Sequence, residues 1–164
     1  MSALAVAALL HPDPAAANRA AGAFMANLCG SWTGSGTADG VTVAEELYVA
    51  WSAGRKSLLA TTRATSGDSF TAITELAYVA HSDTFTATEK NNGRWPVRQF
   101  SGKLEGDTLN LDEVGTERRL RLSLTKLKDG GLLIKEALAK DGEWASPFVF
   151  IRYRRVATEA RCAA

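Results

Sequence analysis

The hydrophobic positions of this chain follow one period before residue 30 and another after it. Over residues 15–28 apolar side chains recur at three- and four-residue spacing, which is typical of an amphipathic helix. Asp13 and Pro14 supply a helix start, and Gly30 stands where the helix would end. We therefore predict a helix that lies with one face on a hydrophobic surface. Its apolar stripe consists of Ala17, Ala20, Ala21, Phe24 and Leu28.

After Gly36 the period changes to two, and turn signals rich in Gly, Asp and Asn separate the alternating segments. Short turns without a crossover helix indicate an antiparallel up-and-down meander, and closure into a barrel would remove its exposed edges. The predicted fold is therefore mainly β: a single antiparallel barrel of about ten strands, with one N-terminal α-helix as a lid. Besides the segment around Trp32, the predicted strands are 43–52, 56–65, 70–80, 84–90, 94–104, 108–114, 118–127, 132–140 and 147–156.

The chain has 164 residues, which suits one domain with one core. We assign residues 14–156 to the barrel and its helix, 157–164 to a C-terminal tail, and the alanine-rich residues 1–13 to a flexible leader or a signal-peptide remnant. Because that leader has no positive n-region, a cytoplasmic address and a periplasmic or secreted one both stay open.

The charge balance excludes some partners. With 19 basic and 18 acidic residues the net charge is +1, which gives no electrostatic case for nucleic acid. The longest uncharged apolar run, residues 3–10, is far shorter than the ~20 residues of a membrane-spanning helix, so no membrane span is expected. A homodimer is left open.

The run from Leu28 to Gly36 separates the helix from the strands. In a strand, Gly30, Trp32, Gly34 and Gly36 share one face, so a single large ring stands on a face otherwise without side chains. Such a strand can bend sharply and allow another backbone or a ligand to come close.

The Gly-x-Trp of this run, together with a basic last strand at residues 150–155, resembles the calycin group of lipocalins and fatty-acid-binding proteins. Over roughly residues 24–156, the strand number and leading helix are more similar to bacterial lipocalin-like domains of unknown function and to nitrobindin haem-binding barrels. The resemblance implies that Trp32 closes the barrel floor and that Arg152 or Arg154 packs over its indole.

The same resemblance bears on the two cysteines. Neighbouring first and last strands would let Cys29 and Cys162 form a disulfide in an oxidising compartment, although two free thiols are the alternative. Two cysteines without a Cys-x-x-Cys do not make a structural zinc site, so no metal is expected. Nitrobindins hold haem through a histidine near the C-terminal end, and this chain has only His11 and His81. We therefore expect no haem and no other cofactor.

Aromatic and charged residues inside the strands are candidates for a cavity wall. For the strand 43–52, the face with Ala44, Glu46 and Tyr48 is predicted to line the cavity, and the face with Glu45 to pack. The candidate ligand-binding residues are Tyr48, Trp51, Arg63, Tyr78, Trp95 and Arg98. An inward glutamate opposite Arg63 or Arg98 would form a buried ion pair, although a solvated outward position is the alternative for each. The glutamates considered are Glu45, Glu46, Glu75 and Glu136.

The sequence predicts no catalytic residue. There is no Gly-x-Ser-x-Gly, neither cysteine stands beside a base, and Gly34-x-Gly36 lies in a strand rather than before a helix. The leading hypothesis is that the barrel binds a small, largely apolar ligand without catalysis. Two alternatives stay open: an enzyme that uses a cavity Glu/Arg pair on a small hydrophobic substrate, and a structural module whose barrel is filled by side chains.

Overall fold

The computed structural model describes residues 14–66, 69–93, 95–157 and 162, so the predicted leader and most of the predicted tail lie outside the described residues. One helix precedes a series of short antiparallel strands, as the change of period predicts. The helix is α1 (Pro14–Leu28), and the strands are β1 (Gly30–Ala38), β2 (Val41–Trp51), β3 (Ser57–Ala64), β4 (Thr71–Val79), β5 (Thr84–Asn91), β6 (Arg98–Glu105), β7 (Thr108–Glu113), β8 (Leu120–Lys126), β9 (Leu132–Lys140), β10 (Glu143–Trp144) and β11 (Val149–Ala157).

The strands form a closed antiparallel barrel. Strands β1 to β9 each pair with the next, and β11 completes the ring by pairing with both β9 and β1. The predicted ten-stranded up-and-down barrel is therefore confirmed. Strand β10 was not predicted; it extends the β9 hairpin outside the ring, with Glu143 opposite Lys140 and Trp144 opposite Ala139.

Helix α1 closes one end of the barrel, as predicted for the lid. Phe24, Met25 and Leu28 are buried in the same hydrophobic cluster as the barrel interior, and the Phe24 ring meets the Phe85 ring edge-on at 6.2 Å. The buried stripe differs by one position from the prediction, because Met25 is buried whereas Ala20 is exposed. This end of the molecule therefore holds the packed core, and we call it the closed end.

Arg155 packs over the Trp32 indole at the closed end, and the expectation of Arg152 or Arg154 is wrong. The Arg155 guanidinium carbon lies 4.1 Å from the ring centroid, and its Nη1 donates a hydrogen bond to the carbonyl of Cys29 at 2.5 Å. The reason is strand alternation: β11 turns its odd-numbered residues toward the interior. Arg152 and Arg154 are exposed on the outside, where Arg152 pairs with Asp129.

A disulfide joins Cys29, which is completely buried after α1, to Cys162 beyond the last strand. Their Cα atoms lie 5.5 Å apart across a sequence separation of 133 residues. The pairing that the resemblance implied is thus present in the structure, and it ties the end of the helix to the C-terminal segment.

Candidate functional site

The barrel encloses a cavity of about 1170 Å³ that runs from Leu28 at the end of α1 to the opposite end, where it opens beside Asp39 and Trp95. Small inward side chains leave this space: Ala60 on β3, Ala72 on β4 and Ala87 on β5 face it, and β1 contributes Ala38. Aliphatic residues of the other strands complete the wall, so most of the lining is apolar. The described barrel is therefore not filled by its own side chains.

A glutamate–arginine–glutamate cluster lies inside this cavity. Arg98 on β6 stands directly opposite Glu89 on β5, and its Nη2 and Nε donate to Oε1 of Glu89 at 2.6 and 3.0 Å. The same guanidinium reaches Glu136 on β9, with Nη1 to Oε2 at 3.1 Å and Nη2 to Oε1 at 3.2 Å. All three side chains are at most 15% exposed, so the ion pairs are buried.

Aromatic rings support the guanidinium of Arg98. Its central carbon lies 5.4 Å from the centroid of the Phe100 ring and 5.5 Å from that of Trp95. The indole Nε1 of Trp95 is 3.5 Å from Oε1 of Glu89, at the edge of hydrogen-bonding distance. Because rings and carboxylates hold it from several sides, Arg98 is fixed in position.

Tyr153 and Glu45 form a second polar pair in the cavity. Both lie opposite Gly34, on either side of β1, and the tyrosine hydroxyl donates to Oε2 of Glu45 at 2.5 Å. Burial raises the pKa of Glu45, the hydrogen bond from Tyr153 opposes that shift, and the charge of Glu136 adds to it. Burial and the Glu45 carboxylate raise the pKa of Tyr153 well above 10.0, so it stays a hydrogen-bond donor.

The pKa of Glu136 is also raised. Burial is the main cause, and Glu89 adds to the shift, whereas the charge and hydrogen bonds of Arg98 oppose it. For Arg98 burial acts against the charged form, but the two glutamates outweigh it and raise its pKa. The cluster thus holds a permanent cation beside Glu136, whose buried carboxylate is costly to keep ionised.

Two of the six predicted ligand-binding residues line the cavity. Arg98 lies in its interior, and Trp95 lies at its mouth with 41% of its surface exposed. Tyr48 and Arg63 point to the outside. The inward face of β2 carries Val43, Glu45 and Leu47, and Arg63 on β3 stands opposite Glu46 on the outer face. The prediction for those two residues, and for that face of β2, is wrong.

Trp51 and Tyr78, the other two candidates, lie at the strand ends near the closed end and do not line the cavity. Trp51 packs against the core with Arg55 over its ring at 5.1 Å. Tyr78 packs on Phe85 at 5.0 Å, and its hydroxyl donates to Asp83. These aromatic side chains therefore stabilise turns and the core.

Of the four glutamates considered from the sequence, two line the cavity and two do not. Glu45 and Glu136 face the cavity, whereas Glu46 and Glu75 are absent from its lining. Sequence reasoning missed Glu89 and Tyr153. Tyr153 had a usable signal, since it alternates with Arg152 and Arg154 on a strand whose charged face must lie outside. Glu89 had a similar signal, since it continues the face of Phe85 and Ala87 on β5.

Among the described residues, no histidine lines this cavity. His81 is exposed in the turn Ala80–Ser82 between β4 and β5, and His11 lies outside the described residues. Within residues 14–66, 69–93, 95–157 and 162, no group of three or more His, Cys, Asp or Glu side chains is arranged to hold a metal ion. In the same part of the chain, no helix has the length and hydrophobicity needed to cross a membrane.

Comparison with known proteins gives no functional assignment, so the function is argued from the geometry of the site. No protein-family model matches the chain, and no curated protein matches it at a significant level.

Proposed function

We propose that this protein binds a small, largely apolar molecule inside the barrel, in the manner of a calycin-like binding protein. The observation that carries the proposal is the cavity of about 1170 Å³, which is larger than the ~300–1000 Å³ typical of ligand pockets. Protein interiors are otherwise close-packed, so a space of this size in a small barrel favours a bound molecule.

The lining supports an apolar ligand with a few oriented polar contacts. Aliphatic and alanine side chains bury the body of the ligand, and burial of apolar surface stabilises the complex by about 25 cal/mol per Å². The polar groups are Arg98 with its two glutamates and Tyr153 with Glu45, and they would orient the ligand. We also propose that the barrel is related to lipocalin-like domains. The Gly-x-Trp of β1 and the packing of Arg155 on Trp32 support this relation.

A fluorescence experiment tests ligand binding directly. We expect the neutral apolar fluorophore N-phenyl-1-naphthylamine to bind and to show a blue-shifted, enhanced emission. The variant Ala60→Trp, which places a ring in the cavity, should weaken that binding by roughly tenfold, as expected for a blocked pocket. Leu59→Trp is the matched control, because Leu59 is the neighbouring residue on the outer face. Absence of fluorophore binding by the parent, or equal binding by Ala60→Trp, would contradict the proposal.

An enzyme that uses the cavity carboxylates is the second candidate. The observation in its favour is that a Glu/Arg pair lies in the same apolar cavity as Glu45, whose raised pKa brings it closer to the range of a general acid–base catalyst. If the protein turns over a small ester or epoxide, Glu45→Gln should abolish turnover while Glu46→Gln leaves it unchanged. Equal turnover by both variants would exclude a catalytic role for Glu45.

A further inference from the structure

We propose that the ligand carries a positive charge, so that the barrel takes an amphiphilic amine rather than a carboxylic acid. This inference rests on the proposed binding function and specifies its ligand class. Three observations on the cavity wall carry it: the engagement of the buried arginine, the excess of carboxylates, and acceptor oxygens without partners.

The buried arginine is already engaged on both sides. Arg98 donates four hydrogen bonds, two to Glu89 and two to Glu136, out of the five N–H groups that a guanidinium has. A ligand carboxylate would have to break these charge-assisted bonds to obtain a bidentate contact. Arg98 therefore does not offer an anion site.

Carboxylates outnumber cations on the described cavity wall. Five carboxylate side chains line it, against the two guanidinium groups of Arg98 and Arg118. Arg118 is exposed at the mouth, where its charge also acts on Glu136, so Arg98 is the one buried cation among the described lining residues. The lining carboxylates are Asp39, Glu45, Glu89, Glu113 and Glu136. An anionic ligand would meet net negative charge in a region of low dielectric constant, whereas a cation would be attracted.

Two of these glutamates have acceptor oxygens without a described partner. Oε2 of Glu113 is buried and accepts no hydrogen bond, which is costly for a carboxylate. Glu45 accepts one bond through Oε2, from Tyr153, and none through Oε1. Burial is the main cause that raises the pKa of Glu45 and of Glu136, so their ionised forms are costly in this cavity. An ammonium group in the cavity supplies a positive charge near both carboxylates and a hydrogen-bond donor for Oε1 of Glu45.

Displacement of N-phenyl-1-naphthylamine by decylamine, decanol and decanoate tests the inference, because the three compounds share one alkyl chain and differ in head-group charge. At about pH 7 the alkyl ammonium, with a pKa of about 10.4, is protonated. We expect decylamine to displace the fluorophore at a concentration at least about tenfold lower than decanol, and decanoate to be the weakest competitor. A tenfold ratio is within the energy of one charge–charge contact at an intermediate dielectric constant.

Substitution of one carboxylate locates the effect. Glu45→Gln keeps an acceptor for Tyr153 but removes a negative charge. The preference for decylamine over decanol should therefore fall by at least about threefold, which is the effect expected when the lost carboxylate is partly solvated. Glu46→Gln, on the other face of β2, should retain the full preference. If decanoate displaces best, or if both variants keep the parent's preference, the amine inference fails while ligand binding stands. If the fluorophore itself does not bind, the proposed function fails.

Discussion

The absence of a side chain at Gly34 permits the hydrogen bond between Tyr153 and Glu45. A Cβ atom at this position would lie 2.5 Å from two atoms of the Tyr153 ring. We therefore expect Gly34→Ala to push the ring away from Glu45 and to lower the free energy of unfolding by about 1–3 kcal/mol, the cost of overpacking. Urea denaturation followed by circular dichroism measures this change.

Gly22 provides the control for that substitution. It is exposed within α1, and a Cβ there would meet no atom within 4 Å. Gly22→Ala should therefore raise the free energy of unfolding by about 0.5–1 kcal/mol through helix propensity. An unchanged urea midpoint for Gly34→Ala would mean that the Tyr153 ring does not rest on this glycine.

At the residue scale, alternation shows which side chains share a face but does not show which face is inside. On β2, one face carries Val43, Glu45 and Leu47 and the other carries Ala44 and Tyr48, and both suit a barrel wall. Tyr48 was chosen as the inward residue because aromatic rings often line pockets, yet it is 49% exposed. The sequence predicts Arg98 as a cavity residue but does not predict its ion pair with Glu136, because β6 and β9 are distant in sequence.

At the element scale, most of the fold was predictable because helix and strand periods differ and turns are marked by glycine, aspartate and asparagine. The two-residue strand β10 was not, since so short a segment has no period. The predicted strand 94–104 begins only at Arg98, after Pro96, which cannot donate a ladder hydrogen bond.

The disulfide between Cys29 and Cys162 constrains the two ends of the described chain. Because it closes a loop of 133 residues, its removal should lower the free energy of unfolding by about 4–5 kcal/mol in the chain-entropy model. The measurement is urea denaturation of the parent protein with and without dithiothreitol. We expect the reductant to move the midpoint to a lower urea concentration.

Cys162→Ala is the control for the reductant. This variant should unfold at the midpoint of the reduced parent, and dithiothreitol should not shift it further. If alkylation detects free thiols in the reduced parent protein and its urea midpoint is unchanged, the disulfide adds nothing to stability.

At the scale of the whole molecule, the two ends of the barrel have opposite energetic roles. The closed end buries Phe24, Trp32 and Phe85 in close contact and supplies hydrophobic stabilisation. The open end keeps an unfilled cavity whose glutamates are held partly out of water, which costs stability in the absence of a ligand. Ligand binding would offset that cost, since a molecule that binds only the folded state raises the free energy of unfolding.

The cost of the buried glutamates predicts how stability varies with pH. Burial is the main cause that raises the pKa of Glu45 and of Glu136 above the ordinary value of 4.5. Between that value and the raised pKa, the folded state binds more protons than the unfolded chain, so the free energy of unfolding falls as pH rises.

Glu45→Gln removes one such group and keeps the hydrogen bond from Tyr153. Its stability should therefore gain on the parent as pH rises above 4.5. Thermal unfolding across that range measures the difference, with Glu46→Gln on the outer face expected to show no such gain. A Glu45→Gln variant that loses stability relative to the parent as pH rises would mean that the folded protein favours the ionised form of Glu45.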